Sequence, residues 1–200
     1  MGRSKGDSLP PGFIFVPEFL TPAEESDLPG YLGSLEFRTL QMRGVTAKRR
    51  IRQFGWHYFE SYQLKPADPI PAAFDSIRER SAQLAGVDAS EWAEALLTEY
   101  PAGSGIGWHR DAPAFGIVAG ISLAGTCRMR FQTGKGAERR TSAIELPPRS
   151  IYLLTGEART KWQHMVPATR EMRYSITFRN VRSQDRRLRF PHTAITDQHR

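Results

Sequence analysis

The stretch between residues 94 and 181 constrains this chain more than any other. It is a succession of short segments: EALLTEY (94–100), AFGIVAGISLAG (114–125), CRMRFQT (127–133), TSAIELP (141–147), SIYLLTG (150–156), TKWQHMV (160–166) and EMRYSITFRNV (171–181). Each has the length and the β-branched or aromatic content of a strand, and glycine or proline punctuates the series. Many short strands at close spacing must bury their apolar faces against one another, which calls for two facing sheets.

The front of the chain reads differently. GFIFVPEFL (12–20) predicts a strand and TPAEESDL a helix that opens directly after it. Thr21 is suited to the N-cap, Pro22 to the first helical position, and Glu24 completes a capping box. PIPAAFDSIRERSAQLAG (69–86) predicts a second helix, opened by Pro71 and stopped by Gly86, with Phe74, Ile77 and Leu84 on or near one face. RRIRQFGWHYFESY (49–62) predicts two short strands or a hairpin around Gly55. The expected architecture is mainly β with flanking helices (α+β), a β-sandwich or jelly roll with the two helices buttressing one side. At 200 residues, one domain with a real core is expected.

No apolar run approaches the length of a membrane-spanning helix, and the first residues hold no signal-peptide core, so no membrane partner and a cytoplasmic location are expected. Cys127 is the sole cysteine, which excludes an internal disulfide and a thiolate zinc cluster. The net charge is +7, and 23 of the 28 basic residues are arginine. Clusters lie at Lys48-Arg49-Arg50-Ile51-Arg52 and from Arg182 to Arg189. Arginine forks suit phosphate or carboxylate, so the bias fits a nucleic-acid partner and equally a solvated basic surface.

His109-Arg110-Asp111 is the first chemical signal. On a strand, His109 and Asp111 reach the same side while Arg110 faces away. Alone, the pair is either surface polarity or part of a metal site. A third ligand is available in His164, on a late segment. Two histidines and a carboxylate form the facial triad of non-haem iron(II) oxygenases, whereas a buried, hydrogen-bonded histidine is the plainer reading of His164. In Arg173-Tyr174-Ser175-Ile176-Thr177-Phe178-Arg179 the alternation is strict. Arg173, Ser175, Thr177 and Arg179 share one face, either a solvated edge or the lining of a wet cavity that holds a dicarboxylic acid.

The order His109-x-Asp111, then His164, then Arg173 followed six residues later by Arg179 resembles the AlkB family of iron(II)- and 2-oxoglutarate-dependent dioxygenases. GFIFVPEFLTPAEESDL, TEYPAGSGIGWHRD, PPRSIYLLTGEARTKWQHMV and RYSITFRNV are each similar to family segments, in family order, across residues 12–181. The resemblance implies a double-stranded β-helix (jelly roll) over 12–181, with tails at 1–11 and 182–200 and a substrate-recognition lid at about 45–65. It implies that His109, Asp111 and His164 hold Fe(II). Arg173 would bind the distal carboxylate of 2-oxoglutarate, Tyr100 would hydrogen-bond to the same cosubstrate, and Arg179 would lie near its other end, beside the iron and the substrate. Some members carry asparagine where this chain has Thr98 and Ser175, so retuned cosubstrate contacts are expected there.

The implied chemistry consumes O2 and 2-oxoglutarate and oxidises a C–H bond. On an N-alkylated base of DNA or RNA it releases aldehyde, succinate and carbon dioxide. The alternatives are an RNA-modification or protein hydroxylase/demethylase with the same chemistry, and a non-catalytic nucleic-acid-binding module. An enzyme acting on a base needs stacking and phosphate-binding groups. Within the lid, Trp56, Tyr58, Arg49 and Arg50 are the candidates; Phe54, Trp56 and Tyr58 could also include core aromatics. A monomer is expected.

Overall fold

The computed structural model describes residues 8–42, 45–58 and 64–182. Strand β1 (Phe13–Val16) leads into helix α1 (Pro22–Gly33), then β2 (Arg38–Met42), the long β3 (Val45–Tyr58) and β4 (Leu64–Pro66). A single 3-10 turn precedes α2 (Asp75–Ala85). The remainder is β5 (Trp92–Tyr100), β6 (Ile106–His109), β7 (Phe115–Leu123), β8 (Cys127–Thr133), β9 (Arg140–Leu146), β10 (Ile151–Leu154), the short α3 (Gly156–Thr160), β11 (Gln163–Val166) and β12 (Arg173–Val181).

Helix α1 opens where its start signals stand; α2 stops at Gly86 as expected but opens at Asp75, because Pro71 starts a 3-10 turn over Ala72–Phe74 and not the α-helix itself. Thr21 accepts the backbone N–H of Glu24 while the Glu24 carboxylate accepts that of Thr21. Gly86 closes α2 in the left-handed conformation at φ +68°. Such a reciprocal cap satisfies two amides that a helix start leaves open.

The strands form two antiparallel sheets. The larger runs β1-β10-β7-β12-β5-β3-β2, with β4 on β3; the smaller runs β6-β11-β8-β9. On the outer face of the larger sheet, Ala95, Leu97, Ile121, Ile176 and Phe178 pack under Leu28 and Leu32 of α1 and Phe74 and Ile77 beside and within α2. A second cluster, with Met129, Phe131, Leu154 and Trp162 at its centre, fills one end of the space between the sheets. The rest of that space is open. The arrangement is the predicted jelly roll buttressed by helices.

Beyond β2 and β4, which the sequence reading did not include, two elements differ from it. The segment around Gly55 is neither two strands nor a hairpin but one 14-residue strand, β3, paired with β5 as far as Gly55 and with β4 beyond it. Gly55 sits at φ +76°, and a Cβ there would meet the Ala93 carbonyl oxygen at 2.2 Å. Glycine therefore bends the strand from one partner to the next without ending it. The second difference is α3, which takes the first residue of the expected strand at 160–166. Of the proposed lid, residues 59–63 lie outside the described residues, as does the basic segment from 183 onward.

Gly120, on β7, has a packing role. Tyr152 of β10 lies directly against it, and a Cβ would come within 2.3 Å of the ring. Gly120→Ala is therefore expected to lower stability by about 1–3 kcal/mol through overpacking. Urea unfolding of the variant beside the parent measures this, and equal midpoints would contradict the packing.

Candidate active site

A cavity of about 1000 Å³ lies between the sheets. Its floor is the inner face of the larger sheet. There β12 presents Arg173, Ser175, Thr177 and Arg179, and β5 presents Glu94, Leu96, Thr98 and Tyr100. Between those of β12, Tyr174, Ile176 and Phe178 pack with the core beneath the helices. The strict alternation of the closing strand is thus the boundary between a wet cavity and a dry core. Register sets the pairs: Arg173 stands opposite Tyr100, Ser175 opposite Thr98, and Arg179 opposite Glu94.

The smaller sheet supplies the facing wall. His109, at the end of β6, is directly opposite His164 of β11, and their ring centroids are 4.3 Å apart. Asp111 is not on the strand, as the alternation argument assumed, because β6 stops at His109. The turn after it carries the carboxylate inward. Arg159 of α3 ties that turn down by donating to the carbonyls of Ala112 (2.6 Å) and Phe115 (2.8 Å). Asp111 Oδ2 then lies 3.6 Å from His164 Nε2.

The electrostatics of this corner are specific. Burial works to raise the Asp111 carboxyl, but the Arg179 guanidinium first, and then His164, His109 and Arg159, together outweigh it and hold the group well below the usual carboxylate range. Arg179 donates to Asp111 Oδ1 through Nε (2.9 Å) and Nη2 (2.5 Å). Burial lowers both histidines, His164 to about 4, so both are neutral imidazoles near neutral pH. His109 Nδ1 lies 2.8 Å from the Gly107 carbonyl. A carbonyl only accepts, so Nδ1 carries the proton and Nε2 keeps its lone pair.

Arg173 occupies the opposite side of the cavity. It is 2% exposed, its Nε donates to Ser122 Oγ at 3.1 Å, and its guanidinium stands 5.0 Å from the centre of the Tyr100 ring. Its Nη1 is buried without a hydrogen-bond partner. A buried cation in this condition calls for an anion.

A sequence profile of the 2OG-Fe(II) oxygenase superfamily matches residues 12–182. The chain belongs to that superfamily. Among curated relatives, an Arabidopsis thaliana protein named alkylated DNA repair protein ALKBH8 homolog is 27% identical over 94% of this chain and 63% of its own length. The uncharacterized protein L905 of Acanthamoeba polyphaga mimivirus is 28% identical over 85% of each chain. The mouse tRNA (carboxymethyluridine(34)-5-O)-methyltransferase ALKBH8 is 29% identical over 79% of this chain but 24% of its own. The chain thus spans under two thirds of the Arabidopsis relative and about a quarter of the mouse one. The solved structure of OsALKBH1 superposes with a TM-score of 0.67 at 19% identity, covering 87% of this chain and all of that one, a likeness of fold.

The superfamily's oxygenases use Fe(II), 2-oxoglutarate and O2. The corner formed by His109, Asp111 and His164 fits the metal by its chemistry. It offers two neutral imidazoles and a carboxylate whose Oδ2 is buried without a hydrogen-bond partner. Among the described residues, no three such side chains are drawn together around one point at coordination distance.

Of the other candidates, Tyr100, Thr98, Ser175, Arg173 and Arg179 all reach the cavity. The lid candidates divide. Arg49 lines the cavity with Ile51 and Gln53. Arg50 does not: it faces the other side of β3 and forms a two-pronged pair with Glu99, at 2.8 and 2.9 Å. Trp56 shares the parity of Arg50, pairs with Pro66 across β4 and is absent from the cavity wall. Tyr58 is at the end of β3, and its side chain lies outside the described residues. Sequence reasoning missed Glu94, Gln53, Ser122 and Arg159. Glu94 was within reach, since it falls on the same two-residue step as Thr98 and Tyr100.

The buried histidine carries a pH prediction. His164 titrates near 6.5 when unfolded and at about 4 when folded, so between these values the unfolded chain binds more protons. Stability of the metal-free protein is therefore expected to fall steadily as pH drops from about 6.5 towards about 4, with Asp111 adding to the loss below that range. Melting temperatures measured across the interval test this, and a flat profile would contradict a buried neutral His164.

Proposed function

We propose that this dioxygenase oxidatively dealkylates N-alkylated bases in nucleic acid, with His109, Asp111 and His164 holding Fe(II) and Arg173 holding 2-oxoglutarate. The observation that carries the reading is the division of one cavity. Two neutral histidines and an ionised carboxylate stand on one wall, and a buried arginine with an unsatisfied N–H stands across the floor. With Fe(II), 2-oxoglutarate and O2 in place, the site supplies oxidation of a nearby C–H bond, and a methyl on nitrogen then leaves as formaldehyde.

The protein's own groups bind, orient and exclude water. Arg173 neutralises the distal carboxylate of the cosubstrate, with Tyr100 beside it and Thr98 and Ser175 lining the space between. Arg179 orients Asp111 at the metal corner, in keeping with a position near the other end of the cosubstrate. On the substrate side, Arg38, Arg49, Lys65 and Arg110 reach the cavity. Their charge suits the phosphates on either side of an extruded base.

A second reading keeps the same oxidation but takes tRNA as the substrate, the molecule that the mouse relative's name gives for its methyl transfer. One experiment separates the two. Formaldehyde release and oxidised-nucleoside formation are measured on methylated single-stranded DNA, duplex DNA, RNA and tRNA, with a methylated peptide alongside. Formaldehyde from any methylated nucleic acid supports dealkylation. An oxidised nucleoside from tRNA alone supports the second reading, and product from peptide alone overturns both. Salt titrations add a check on the surface. Arg49→Ala is expected to flatten the salt dependence of nucleic-acid binding and Arg50→Ala to leave it unchanged, because Arg50 is engaged by Glu99 on the helix side.

A further inference from the structure

Glu94 is among the most deeply buried carboxylates of the described residues, at 1% exposure, and it stands on the cavity floor. Register places it directly across from Arg179, whose Nη1 donates to Glu94 Oε2 at 2.6 Å. Its other oxygen accepts Gln53 Nε2 at 3.1 Å. Gln53 in turn accepts from Arg38 near the substrate side. Burial raises the Glu94 carboxyl above its ordinary value, against the Arg179 and Gln53 contacts that lower it. Both of its oxygens meet N–H donors and neither meets an acceptor, so the hydrogen-bond geometry fits the ionised form.

Arg179 uses its remaining edge on Asp111 Oδ1. This places a full positive charge against the carboxylate that the reading above assigns to the dication, while the two neutral histidines add no charge. Asp111 and Arg179 together are neutral, and a neutral cluster attracts a dication weakly in a buried site. Glu94 returns the cluster to one net negative charge.

We propose that Glu94 is a positioning residue of the metal centre: it holds Arg179 from the side away from Asp111 and restores the negative charge that Arg179 cancels there. Asp111 is thereby oriented by a guanidinium without losing its attraction for the metal, and its free Oδ2 stays turned towards His164. The inference rests on the assignment of His109, Asp111 and His164 as ligands.

Mn(II) affinity, read from the electron paramagnetic resonance signal of the free ion without cosubstrate, tests it apart from activity. Glu94→Gln keeps the shape and removes the charge. It is expected to weaken Mn(II) binding on the order of tenfold or more, with 2-oxoglutarate affinity changed much less. Combining it with Arg179→Gln removes both charges and is expected to bring affinity back to within about threefold of the parent. Parent-like affinity in Glu94→Gln overturns the proposal, and so does a double variant as weak as the single one, which would mark Glu94 as a packing residue only. The double variant keeps one net negative charge, on Asp111, whose Oδ1 loses its donors, so circular dichroism first establishes that it folds. If the single variant does not fold, parent-like Mn(II) affinity in the double variant supports the charge balance and a loss of about tenfold overturns it. His164→Ala run in parallel separates the two levels. If it binds Mn(II) like the parent, the ligand assignment fails and this proposal with it; if it loses Mn(II) while Glu94→Gln does not, only this proposal fails.

Discussion

His164→Ala is expected to abolish 2-oxoglutarate-dependent succinate formation and Fe(II) or Mn(II) binding in a protein that still folds. The imidazole is buried on β11, with His109 opposite and Asp111 Oδ2 at 3.6 Å. Removing it leaves one imidazole and one carboxylate, too few to hold a dication against water. Changes to groups that merely orient a ligand already cost about 10–100-fold in metal affinity or activity, so loss of a ligand itself should exceed about 100-fold. The fold should survive because the β11 backbone keeps its pairing with β6 and β8, and the vacated space opens onto an existing cavity. Circular dichroism establishes folding, and metal titration with a succinate assay establishes the loss. Full activity in a folded variant would remove the metal assignment.

Arg173→Ala is expected to weaken 2-oxoglutarate binding by about 2–5 kcal/mol, the range for truncating one partner of a buried, hydrogen-bonded charge pair. Arg173 is 2% exposed and its Nη1 has no hydrogen-bond partner among the described residues. Nothing in the cosubstrate-free protein therefore depends on this charge in the way that Asp111 depends on Arg179. The loss should fall on KM for 2-oxoglutarate more than on kcat at saturation, and Arg173→Lys should recover only part of it because an ammonium lacks the planar fork. The melting temperature without cosubstrate should hold or rise, since an unsatisfied buried cation is removed. An unchanged KM would place the cosubstrate elsewhere.

Much of the fold was legible because its signals are local. The Thr21–Glu24 capping box spans one helical turn, and Gly86 terminates α2 through its own backbone conformation. The residues of β12 divide into two faces through a period of two that depends on nothing outside the strand. The candidate ligands were legible for a different reason: their types and order resemble a family, whereas spacing alone left His109 and Asp111 ambiguous.

By itself the sequence determined which residues share a face: Arg49 with Ile51 and Gln53, Arg50 with Arg52 and Phe54, Glu94 with Thr98 and Tyr100. It could not say which face meets the cavity, because that depends on which strand lies alongside and on which side the helices pack. Only the tertiary structure turned Arg49 towards the site and gave Arg50 to Glu99, a residue 49 positions away. Only the structure carried β3 past Gly55 as one strand, since a bend and a turn look alike until the partner strands are known. The link from Gln53 through Glu94 and Arg179 to Asp111 joins β3, β5, β12 and the turn after β6. Hydrogen bonds between residues so far apart in sequence form only once the strand order has put them side by side, and no local pattern announces them.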